Sequence, residues 1–73
     1  MTASTDARHT VGTEIRVAMI RAGYTITTLA SAIGMSRRTL NDKILGHRPF
    51  TIDEVAMIAT VLDVDFHDLL PFD

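Results

Sequence analysis

At 73 residues the chain has room for one domain, since a fold of this size buries only about 60% of the surface its unfolded chain exposes and builds a single small core. It has no cysteine, which excludes disulfides, thiolate zinc sites and a thiol nucleophile and suits a reducing compartment. The net charge of -2 conceals a segregation: seven bases and three acids precede Pro49, a net of +4, while six acids and no base follow Arg48. Such a split gives one surface suited to an anion and another turned away from it.

Residues 1–9 are polar and carry no capping signal, which predicts a mobile arm ahead of a domain spanning 10–73. They also lack the apolar stretch of a secretory leader, and no apolar run reaches the ~18 to 20 residues that cross a bilayer, so a cytoplasmic protein is expected. A first helix, Val11 to Ala22, follows from Val11, Ile15, Ala18 and Met19 at helical spacing, with Gly23 as the stop. From there one pattern recurs four times: an apolar residue, a capping residue, and a second apolar residue at the fourth helical position, the hydrophobic staple. Tyr24, Thr25 and Leu29 open a second helix in this way, and Met35, Ser36 and Leu40 open a third over Arg37 to Leu45. Phe50, Thr51 and Val55 open a fourth over Ile52 to Leu62, where Glu54 completes a capping box. Val64, Asp65 and Leu69 open a fifth, of one to two turns, ending before Pro71. The fourth carries Ile52, Val55, Ala56, Ile58, Ala59 and Leu62, a stripe broad enough for the central core helix. No segment alternates with period two, so the expected fold is all-α, a compact five-helix domain.

The run from Thr27 to Gly46 carries the chemistry. Gly34 supplies the left-handed residue that ends the second helix, Ala30 is small where two helices cross, and Leu29, Ile33, Leu40 and Ile44 bury the pair. This is the pattern of a helix-turn-helix, whose second helix lies in the major groove of DNA. At about 100° per residue, an inward Leu40 and Ile44 aim Arg38 and Asp42 outward, with Arg37 and Thr39 flanking. Two arginines in a first turn oppose the helix dipole, a cost that a binding role explains. Arg38, and secondarily Arg37, are therefore expected to fork onto O6 and N7 of guanine. Asp42 either accepts from cytosine N4 or, four residues on, holds the Arg38 fork in position. Asn41 suits adenine or a phosphate, or simply faces water. Ser36, Thr25, Thr27 and Thr28 combine capping with hydroxyl and N–H contacts to phosphates, and Thr39 is assigned to the backbone beside them. Lys43, His47 and Arg48 cluster around Gly46 and are expected to clamp the flanking strand.

From about Ile15 to Leu70 the chain resembles the phage repressor and Cro type of helix-turn-helix domain, also called the xenobiotic-response-element family. Leu29-Ala30, Gly34-Met-Ser36, Thr39-Leu40, the run Gly46 to Thr51, Ile58-Ala59 with Leu62, and Phe66 to Leu70 carry the likeness. The resemblance implies a five-helix DNA-binding domain that usually represses transcription, with its third helix in the major groove and Ser36, Arg37, Arg38 and Asp42 facing bases. Ile26 stands where the family often has a phosphate-gripping Gln, which leaves that contact to Thr25 or Thr27. Asp42 puts a carboxylate where polar or basic readers are common. The expected function is that of a Cro-like or immunity-repressor-like transcriptional regulator on double-stranded DNA.

Other classes fit less well. His9, His47 and His67 are far apart and no nucleophile constellation accompanies them, so no enzyme, cofactor, metal or small-molecule ligand is expected. The run Asp63 to Asp68 lacks the Gly and terminal Glu of a calcium loop, and Asp65 serves better as a cap. A protein-interaction module or antitoxin-like regulator on the same fold is the alternative, with the acidic tail meeting a basic partner and Phe66, Leu69, Leu70 and Phe72 either forming an interface or sealing the core. Because the chain ends shortly after the fifth helix, any dimer is expected to be weak and to use the fourth-to-fifth helix region with Phe72; a monomer on an asymmetric site is the other option.

Overall fold

Capping side chains mark where three of the four described helices and the closing turn begin. Within residues 11–70, which the computed structural model describes, there are four α-helices: α1 (Val11–Arg21), α2 (Ile26–Ile33), α3 (Arg37–Ile44) and α4 (Ile52–Leu62). A 3-10 turn over Phe66–Leu69 follows, and no strand occurs among the described residues. The arm expected over 1–9 and the expected interface residue Phe72 lie outside the described residues. Thr25 caps α2, with Thr28 N–H donating to its Oγ1 at 3.1 Å and Thr25 N–H donating back to Thr28 Oγ1 at 2.8 Å, a capping box built from two threonines. Ser36 caps α3 and Thr51 caps α4, the latter with Glu54 in the reciprocal position.

All four helices end in the same way. An N–H two or three residues beyond the helix turns back to a carbonyl five residues earlier: Tyr24 to Met19, Met35 to Ala30, His47 to Asp42 and Val64 to Ala59, each at 2.9 to 3.0 Å. This closure needs a left-handed residue just past the last turn. Glycine provides it after α2, where Gly34 has φ 71°, whereas after α4 a non-glycine, Asp63, takes φ 58°.

The fifth expected helix is instead a single 3-10 turn. Asp65 caps it as the spacing predicts, accepting from His67 N–H at 3.0 Å; that N–H first, and then the imidazole, hold the Asp65 carboxyl below the usual carboxylate range. Pro71 in the sequence disfavours helical backbone at Leu70, which is extended at φ -95° and ψ 131°. Only four residues remain between cap and stop, too few to establish an α-helical ladder.

α2 packs on α3 and α4, while α1 packs on α3, α4 and the 3-10 turn. Between them lie Ile15, Met19, Leu29, Ala30, Leu40, Ile44, Val55, Ile58, Ala59, Leu62 and Leu69, all buried. Each large member contributes about 1.5 to 3 kcal/mol by leaving water. The stripe on α4 is narrower than the periodicity predicts, because Ile52 is 67% exposed and Ala56 also faces solvent. Ile52 is the first residue of α4, and helical side chains lean toward the N-terminus, so it projects beyond the packed part of the helix. Gly12 permits a close approach of α1 to α3: a Cβ there would collide with the Ile44 carbonyl at the end of α3. Among the described residues no helix is long and apolar enough to cross a membrane.

Candidate nucleic-acid interface

Leu40 and Ile44 anchor α3 in the core, and their phase determines what the helix displays. Arg37, Arg38 and Asn41 are exposed and together line one shallow concavity. Neither α2 nor α3 has an acid in its first turn, so the first-turn arginines of α3 have no acid beside them there. The spacing predicts Arg38 and Asp42 as the outward pair; instead Asp42 is half-buried, as are Thr39 and Lys43. Lys43 reaches from there to Glu54 of α4, and the exposed display lies on the Arg37, Arg38 and Asn41 side. Arg38 and Asp42 form no ion pair, and the Arg37 side chain too has no hydrogen bond or ion pair among the described residues.

At the α3 cap, Ser36 Oγ accepts from Thr39 N–H at 3.1 Å and donates its own proton to Thr39 Oγ1 at 2.8 Å. The hydroxyl proton left to donate outward at this cap is therefore that of Thr39. Thr25, Thr27 and Thr28 are exposed at the start of α2, where Thr25 and Thr28 satisfy one another and the Thr27 hydroxyl has no partner within the described residues. His47 and Arg48 are exposed beyond the far end of α3, in a groove shared with Gly12 and Phe50.

Lys43 stands apart from the exposed cations. Its Nζ lies 2.7 and 2.6 Å from the two carboxylate oxygens of Glu54, and its side chain is 12% exposed. Glu54 Oε1 also accepts from Thr51 N–H at 2.9 Å, so a single carboxylate ties α3 to the N-terminal cap of α4. Burial pushes the Glu54 carboxyl up, but the Lys43 ammonium and the Thr51 N–H and hydroxyl outweigh it and leave its pKa below the ordinary value. No sequence pattern announces this pair, since its members are eleven residues apart on different helices.

Arg16 of α1 was not among the residues that the motif singles out, yet it lines a groove with Thr25 of α2 and Asn41 of α3. A period-3.6 reading of α1 identifies its core face and says nothing of what borders α3.

A capped helix pair presenting two arginines, without ion-pair partners among the described residues, on the first turn of an anchored helix defines a small helical domain with a surface suited to a polyanion. A family model described as the Cro/C1-type HTH DNA-binding domain matches residues 14–73, and the chain belongs to that family, whose activity is DNA binding. Comparison with curated proteins and with solved structures gave no match.

Proposed function

We propose that this chain is a sequence-specific double-stranded DNA reader, a Cro-like or immunity-repressor-like transcriptional regulator in which α2 and α3 form the helix-turn-helix and α3 enters the major groove. The observation that carries this reading is the pair Arg37 and Arg38, exposed on the first turn of α3 with no carboxylate bound to either. A solvated ornament on that turn would oppose the helix dipole for no return, whereas a guanidinium there can fork onto a guanine edge. Arg38 and Arg37 take the base contacts, Asn41 extends them one turn on, and Asp42 reads from the half-buried margin of the helix. Thr25, Thr27 and Thr28 offer hydroxyls and first-turn N–H groups to phosphates, with Ser36 and Thr39 doing so at the α3 cap and His47 and Arg48 beyond its end. Lys43 enters as a strut to α4, since its ammonium is already engaged by Glu54. Residues 10–73 are the binding unit in this reading. A weak homodimer through α4 and the 3-10 turn accompanies it, favoured by Ile52 and Met57, which are 67% and 46% exposed on α4.

Selection of bound duplexes from a random pool tests the proposal. Enrichment of a motif with G·C positions, and affinity that falls steeply with salt, are expected. Recovery of no motif and binding indifferent to salt would sink it.

A further inference from the structure

α1 carries two exposed arginines in different surroundings. Arg21 lines a groove with Glu14 and Asp68, between carboxylates. Arg16 lines another, with Ile20 of α1, Thr25 and Ile26 of α2, and Asn41 and Leu45 of α3, and no acid borders it. The Arg16 side chain has no hydrogen bond or ion pair among the described residues, so none of them engages its guanidinium. Asn41 lines both this groove and the concavity of Arg37 and Arg38, which makes the two surfaces continuous.

The same groove also explains an oddity of the surface. Ile20 and Leu45 are 62% and 57% exposed, among the most exposed large apolar side chains described, and they flank Arg16. A cation set on apolar neighbours gains from an anion more than one standing in bulk water does, because the local dielectric is lower. A duplex whose bases meet the first turn of α3 carries a sugar-phosphate strand along each border of a groove about 12 Å wide. The surface contiguous with α3 on the α1 side offers that strand a cation, a hydroxyl at Thr25, and two apolar side chains for the deoxyribose.

We propose that Arg16 is a phosphate-contacting residue, and that the DNA interface extends past α2 and α3 onto α1, with Ile20 and Leu45 against the sugars of the same strand. This rests on the DNA-reading function proposed above. Arg16 then helps to position the duplex without carrying sequence preference.

The test is the dependence of affinity on salt, measured by fluorescence anisotropy with the full chain and the duplex selected from a random pool. Arg16→Gln is expected to make the slope of log K against log salt shallower by about 0.9, the loss of one phosphate contact, while leaving the selected motif unchanged. Arg16→Lys should restore the slope, and Arg21→Gln, on the same helix but in the other groove, should keep it. An Arg16→Gln slope equal to that of the parent overturns the proposal, as does an equal drop in Arg21→Gln, which would mean that only net charge is felt. Should the parent chain itself bind no duplex in a salt-dependent way, the DNA-reading function fails, and this extension fails with it.

Discussion

Arg38, Arg48 and Asp63 show how much a single side chain determines here. Arg38 is exposed and unpaired on the displayed side of α3, so Arg38→Ala should relax preference at one G·C position and weaken the selected duplex by about 1 to 3 kcal/mol. Arg48→Ala should instead weaken all duplexes alike and flatten the salt dependence; competition between selected and random duplexes separates the two behaviours. Asp63 is the non-glycine left-handed residue, and it places a negative charge at the C-terminus of α4, where the helix dipole disfavours one. Asp63→Gly relieves both, and a gain of about 1 kcal/mol is expected in urea unfolding, with no change in DNA affinity. At this scale the sequence is a good guide to side chains whose role is local. Thr25, Ser36, Thr51 and Asp65 cap where their type and spacing predict, because a cap is a contact between residues two or three apart. Lys43 is the counterexample: its partner Glu54 is set by tertiary packing, which no local pattern encodes.

Among the elements, the relation of α3 to its neighbours decides what the site can do. Its C-terminal end rests on α1 at Gly12, and its flank is tied to α4 by Lys43 and Glu54. Gly12→Ala is expected to destabilise by about 1 to 3 kcal/mol through overpacking, and, because relief requires α3 to move off α1, to reduce duplex affinity even well below the melting temperature. Unchanged melting in that variant would contradict the close approach. The ion pair gives a pH signature. Glu54 has its folded pKa lowered, so its stabilisation is fully present above the ordinary carboxylate range and is lost as pH falls through the lowered value. Glu54→Gln keeps the capping geometry and removes the charge; the melting gap from the parent should be clear at neutral pH and close in acid. A gap that stays constant down to low pH would deny the pair its role. The helix boundaries are readable in the chain because glycines and caps punctuate them, whereas the 3-10 turn in place of a fifth helix follows from Pro71 lying so near the Asp65 cap. Helical phase places Leu40 and Ile44 inward, but Asp42 and Lys43 are half-buried, Lys43 in its pairing with Glu54, and the exposed display falls on Arg37, Arg38 and Asn41.

For the whole molecule, charge segregation and size matter most. The +4 of the chain up to Arg48 against six acids and no base beyond it orients the domain toward a polyanion before any contact forms, so association should slow as salt rises. If the protein binds as a two-fold pair through α4, its recognition helices stand about 34 Å apart and the selected motif is two inverted half-sites; a single unpaired motif would mean one chain per site. Sequence composition reveals this asymmetry, while the grouping of Arg16 with Asn41 emerges only from the packing of three helices. The isolation of Arg37, Arg38 and Asn41 from the rest of the fold has a further consequence. None of them is buried, and neither arginine has an ion-pair partner among the described residues, so exchanging them leaves the core, the caps and the strut untouched. If these three positions read bases as proposed, they can be rewritten together to address a new sequence at little thermodynamic penalty, which would make this small scaffold a starting point for selecting altered specificity.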